Sequence, residues 1–234
     1  MEPATGAHDD WRCYLRREMR GKQGFDFRLL LALVALVVIA GGVALLTTGG
    51  SSSKTASAKA KQADFHAAGL LSPAAPAPPL RLRDYLGRPI DISSYRGKVV
   101  LVTFLYTHCP DICPLIASNL GIAQKLMGLA EAAKVRIVAV SVDPRGDTPK
   151  TVAAFLARRN VTGRMDYLLG STSQLARVWQ AWGVGSERDA GKPEFVNHSG
   201  LVYGISASGK RMTIYASNFQ PADIVHDVPL LAAR

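Results

Sequence analysis

Cysteine is nearly absent, with Cys13, Cys109 and Cys113 the only three in 234 residues. Only the last two are neighbours, so a scaffold held together by disulfides is excluded and one functional pair remains. No unit recurs at a solenoid period, and a chain of this length then supplies one packed domain with appendages. Charge is missing altogether from residues 29–53. The first 28 residues, by contrast, carry Glu2, Asp9, Asp10, Glu18 and Asp26, which argues against a mitochondrial transit peptide, a type of segment poor in acids.

The charge-free stretch is built mainly from Leu, Val, Ala and Ile over residues 29–46. As a helix rising about 1.5 Å per residue, residues 27–47 reach roughly 30 Å, the thickness of a bilayer core. A cleaved signal peptide has a shorter apolar run and a shorter polar lead-in, so we expect an uncleaved transmembrane anchor over 29–48. Arg12, Arg16, Arg17, Arg20, Lys22 and Arg28 precede the span, and only Lys54, Lys59 and Lys61 follow it closely. The positive-inside rule then makes residues 1–28 a cytoplasmic tail and places the chain beyond about residue 50 outside. The expected location is a bacterial cell membrane, crossed once, with the C-terminal domain extracytoplasmic. Cys13 is read as an inert thiol in the tail. Residues 49–79, rich in Gly, Ser, Ala and finally Pro, are expected to form a tether with a coil reach of roughly 30 Å.

The globular domain is expected over 80–234. Alternating apolar positions broken by Gly87 and Pro89 predict a hairpin, and the apolar run 99–105 predicts a buried strand. Ile116, Leu120, Ala123, Met127 and Ala130 then mark one helix face, and 135–142 reads as a second central strand. A helix opened by Pro149, a short strand at 167–169, and a helix bearing Leu175, Val178, Trp179 and Trp182 and ended by Gly183 follow. A closing hairpin over 201–215 and a helix from Pro221 complete an α/β order. With a cysteine pair after the first central strand, that order is thioredoxin-like: a central mixed sheet flanked by helices.

Cys109 and Cys113 fall at the turn from that strand into the following helix. Helix N–H groups and the positive end of the helix stabilise a thiolate, the form that binds metal or attacks a disulfide. Thioredoxins have two residues between their cysteines; here Pro110, Asp111 and Ile112 stand between. The wider spacing lets both sulfurs converge on one metal ion while still permitting a disulfide.

The stretch Phe104-Leu105-Tyr106-Thr107-His108-Cys109-Pro110-Asp111-Ile112-Cys113-Pro114, then Val140-Ser141-Val142-Asp143-Pro144, then Val196-Asn197-His198-Ser199, resembles the Sco/SenC family of membrane-anchored copper proteins. The resemblance covers about residue 80 to the C-terminus. It implies copper ligands at Cys109, Cys113 and His198, with Asp143 orienting or tuning a ligand. Two thiolates and an imidazole suit Cu(I) and tolerate Cu(II), and Zn(II) fits the same donors. Asp143 beside Pro144 also suits a plain turn aspartate. Leu105 and Asn197 depart from the family pattern, which often has Gly and an acidic residue at those places. His108 is a possible modulator of its neighbour; His66 and His226 are read as exposed, and His8 as cytoplasmic.

The family implies a metallochaperone that receives copper from an extracytoplasmic donor and passes it to the dinuclear copper centre of cytochrome c oxidase subunit II. The rival is an enzyme, a thiol-disulfide reductase that uses Cys109 and Cys113 as a catalytic redox pair to keep the oxidase's cysteines reduced; a thiol peroxidase is a weaker third. Beyond residue 28, 22 Lys and Arg face 13 Asp and Glu. Clusters such as Arg81, Arg83, Arg88 and Arg158-Arg159 suit anionic lipid, an acidic partner, or merely solvent. Nucleic acid is not an expected partner outside the cytoplasm, and nothing demands more than a monomer.

Overall fold

The computed structural model describes residues 64–188 and 196–234. The anchor expected over 29–48, the tail with Cys13 and His8, and the start of the tether lie outside the described residues. Among the described residues no helix is long and apolar enough to cross a membrane.

Eight strands form one mixed sheet: β1 (Gly69–Pro76), β2 (Arg81–Asp84), β3 (Pro89–Asp91), β4 (Val99–Leu105), β5 (Val135–Ser141), β6 (Met165–Leu169), β9 (Val202–Ile205) and β10 (Lys210–Tyr215). Their spatial order is β1-β10-β9-β4-β5-β6-β2-β3. β4, β5 and β6 run parallel, and the flanking pairs are antiparallel. β4 is buried at all seven positions, as its unbroken apolar run requires of a strand covered on both faces. A separate two-stranded ribbon pairs β7 (Ser186–Arg188) with β8 (Val196–His198).

Helices α1 (Ile112–Leu126), α2 (Gly128–Ala132), α3 (Pro149–Arg158), α4 (Thr172–Trp182) and α5 (Pro221–Ala232) cover the sheet. Local chemistry sets their ends. Thr148 and Ser171 close capping boxes on α3 and α4, satisfying N–H groups that would otherwise be orphaned. Gly183 ends α4 in the left-handed region at φ 69°, where a Cβ would be strained. Trp182 is buried against Phe104 and Tyr203 with ring centroids 5.9 and 5.6 Å away, as a core residue rather than a ligand platform.

One boundary differs from the sequence expectation. Residues 69–76, placed in the tether, pair with β10 as β1, and Phe65 and Ala67 are buried. His66 and Ala67 donate their backbone N–H groups to Asp227 on α5, at 2.9 and 3.0 Å. The prolines that suggested an extended spacer sit in or beside an edge strand, where a missing N–H costs little. His66 is exposed as expected, but its ring stacks on that of His226 at 3.7 Å.

Candidate metal centre

The parallel register brings Leu105 at the end of β4 beside Ser141 at the end of β5. The chain leaves β4 through residues 106–111 and enters α1, whose first turn holds Cys113. Asp111 caps that helix by accepting from the Ile112 N–H, and the Cys113 N–H points back at the Cys109 sulfur, 3.4 Å away. The helix N-terminus thus donates to Cys109, as anticipated from the strand-to-helix turn.

Three sequence-predicted residues come together here. The Cys113 sulfur stands 3.5 Å from His198 Nε2, and the imidazole packs edge-on to Tyr106 at 5.6 Å. Cys113 is fully buried, Cys109 is 9% exposed, and both are free thiols. Hydrogen bonds from the Cys113 thiol, then from His198 and the backbone N–H groups of Cys113 and Asp111, bring the Cys109 thiol down to about 4 against the opposing effect of burial. Asp111 Oδ1 lies 3.6 Å from the same sulfur and could accept from it only as a thiol; the donors outnumber it, and the thiolate wins. Cys113 moves the other way, raised by its bond to Cys109 and by burial. Tyr106 is pushed up to about 12, chiefly by burial.

Among the described residues, no three His, Cys, Asp or Glu side chains already enclose a metal position. The donors meet pairwise instead. Two sulfurs and an imidazole nonetheless match a soft ion in chemistry, and half-buried His198 is more open to solvent than Cys113, which is fully buried.

Asp143 stands two residues beyond the end of β5. Its carboxylate accepts from the Arg145 N–H at 3.2 Å in a turn after β5, and lies close to Gly146, where a Cβ would fall 2.3 Å from Asp143 Oδ2 and 3.1 Å from His108 Nδ1. This is the turn geometry that Asp-Pro suggested. His108 turns to Thr107 Oγ1 at 3.2 Å.

Asp147 is the residue that sequence reasoning passed over. Only 5% exposed, it accepts from the Thr107 N–H at 2.8 Å, Ser141 Oγ at 2.6 Å and Tyr167 Oη at 2.9 Å. These bonds tie the root of the cysteine loop to β5 and β6. Burial holds its carboxyl above the usual range. The available signal was a second acid four residues after Asp143 and just before a Thr-Pro helix start, a pattern that also describes an ordinary capping region.

A mixed sheet with flanking helices, carrying a dithiol at the helix that follows a central strand, defines a thioredoxin-like domain, here with an imidazole beside the thiols. A family model, SCO1/SenC, matches residues 71–233, and the chain belongs to that family. The mitochondrial SCO2 homolog of Bos taurus is 31% identical over 150 residues, 62% of this chain and 55% of the relative. The SCO1 protein homolog of Bacillus subtilis is 28% identical over 155 residues, 64% of this chain and 79% of the relative. The match spans less than two thirds of the mammalian relatives' own length. Among solved structures, Bradyrhizobium japonicum ScoI with copper bound superposes with a TM-score of 0.60 at 28% identity, covering 67% of this chain and 99% of that one. BsSco, a Sco-family cytochrome c oxidase assembly protein in which a disulfide switch was identified, gives 0.58 at 26% identity, covering 70% of this chain and 97% of that one.

Proposed function

We propose that the protein is a membrane-anchored copper metallochaperone that holds one copper ion through Cys109, Cys113 and His198 and delivers it to the dinuclear copper centre of cytochrome c oxidase subunit II. The observation that carries this reading is the meeting of His198 with the cysteine pair across 85 residues of sequence, in a family whose solved members include a copper-bound one. Copper is cargo here. Cys109 offers a ready thiolate, Cys113 gives up its proton on binding, and His198 swings in as the third donor. Transfer then proceeds by ligand exchange, partner thiolates replacing Cys109 and Cys113 in turn. The charge-free span 29–48 would keep the domain on the outer face of a bacterial cell membrane, near the oxidase and an extracytoplasmic donor. Joining the sulfurs as a disulfide removes both thiolate ligands, so redox state gates loading.

The division of the pair into a low and a high thiol pKa also suits a thiol-disulfide reductase, with Cys109 attacking and Cys113 resolving. His198 separates the readings. Copper stoichiometry and absorption are measured on the reduced full chain and on His198→Ala. One copper per chain, with a sulfur-to-Cu(II) band lost in the variant, is expected; binding indifferent to His198, or oxidase assembled fully by the variant, overturns the chaperone reading.

A further inference from the structure

We propose that the end of the domain opposite the thiols is a docking surface for an anionic lipid bilayer. The parallel strands give the domain two poles. Cys109 and Cys113 follow the C-terminal end of β4, whereas Lys98, Lys134 and Arg164 stand immediately before the first residues of β4, β5 and β6. A strand of this length separates the poles by about 20 Å. Backbone bonds tie the segments of this pole together and add Arg234 to it: Val99 donates to Lys134 at 2.9 Å, Gly97 to Ala207 at 3.0 Å, and Ser208 to Arg234 at 3.0 Å. Arg96 lies across Gly209, where a Cβ would come within 2.4 Å of its Cζ, next to Lys210. The acids nearby are already paired or few: Glu131 with Lys134 at 2.8 Å, Asp91, which lines one cavity with Arg96 and Lys98, with Arg81 at 2.6 Å, and Asp64, next to Phe65 in sequence.

Two leucines project from the same pole. α1 runs down from the thiols and ends at Leu126, 63% exposed, and Leu129 in α2 is 94% exposed. Isolated surface leucines need no explanation, but leucines that share a pole with a set of Lys and Arg form a pattern with a physical use. Hydrocarbon enters the acyl boundary while the cationic heads stay level with headgroup phosphates.

The occupant follows from where the chain enters. Phe65 lies under the Arg234 guanidinium at 5.1 Å, so the polypeptide reaches the domain at this pole. About fifteen residues, at most roughly 50 Å when extended, separate it from the end of the span at residue 48. The proposal rests on reading that span as an anchor, which would hold this pole at high effective concentration over the bilayer. An acidic protein would account for the cations, but not for Leu129 or the point of entry. With the pole on lipid, Cys109, Cys113 and His198 face the aqueous side.

The test is amide hydrogen exchange on the full chain in nanodiscs of phosphatidylcholine alone and with about a third phosphatidylglycerol. Amides of residues 126–134 and 206–210 are expected to exchange about fivefold more slowly in the anionic discs, and the difference to vanish in about 0.5 M salt. The triple variant Lys98→Glu, Lys134→Glu, Lys210→Glu should lose it as well, and Leu129→Asp should reduce it, while exchange in β4 and β5 reports an intact fold. Equal exchange in both discs, or slowing that survives salt and charge reversal as a protein contact would, overturns the proposal. Alkaline carbonate extraction tests the anchor by itself: a chain that washes off membranes refutes the anchor, whereas the lipid dependence of exchange judges the pole.

Discussion

At the scale of single residues, the two thiols differ because they share one hydrogen bond. Cys113 donates and Cys109 accepts, so ionising Cys109 is favoured and ionising Cys113 after it is opposed. Alkylation of the reduced, metal-free chain should therefore label Cys109 at a rate nearly flat from pH 6 to 8, because its pKa of about 4 lies below that window. A free thiol with the ordinary value of 9.0 would react faster at each step. Cys113→Ala removes the first donor and should move the reactivity midpoint of Cys109 upward by about a unit or more; peptide mapping of labelled chain across pH checks both. Asp147 carries a different sign. Its folded carboxyl lies above the ordinary value because of burial, so the stability it adds is full below that ordinary value and is lost as pH rises through the folded one. Asp147→Asn should therefore cost most near pH 4 and least near pH 7 in urea unfolding. Asp147→Ala, which strips acceptors from Thr107, Ser141 and Tyr167, should cost about 3 kcal/mol.

At the scale of elements, the site depends on two segments touching: the loop after β8, and the start of α1. A Cβ on Gly200 would fall 2.6 Å from Ile112 Cδ1 and 3.3 Å from Ser217 Cβ. Gly200→Ala should therefore push the His198 loop away from Cys113, weakening copper binding about tenfold while leaving thermal stability within about 2 kcal/mol, as competition titration and calorimetry would show. This contact explains why the site was only partly readable in sequence. The strand-to-helix turn places Cys109 and Cys113 by local rules, since an apolar run, a cap and a helix face are all short-range signals. His198 arrives through a separate ribbon and was found by its motif, not by periodicity. Asp147 was missed because a buried acceptor looks like a helix-cap acid until its three donors, from Thr107, Ser141 and Tyr167, are seen to converge.

At the scale of the whole molecule, the same limit appears at the N-terminal edge. The Gly, Ala and Pro content of residues 69–79 describes a spacer, and local preference says nothing about an open neighbour. β10 supplies that neighbour, and β1 covers its edge. An uncovered strand edge invites pairing with another chain, so β1 protects as well as connects. Asp227 strengthens the attachment: wholly buried, it holds the His66 and Ala67 N–H groups and the Tyr215 hydroxyl at 2.9–3.0 Å. Removing residues 64–76 takes two donors from this carboxylate and uncovers Phe65's place in the core at once. A chain beginning at residue 77 should be less stable than one beginning at residue 58 by about 3 kcal/mol or more, and should associate through β10. Urea midpoints and light scattering on the two truncations decide the point. Equal midpoints with both chains monomeric would mean that β1 contributes nothing to the fold, and that the tether runs unbroken to β2.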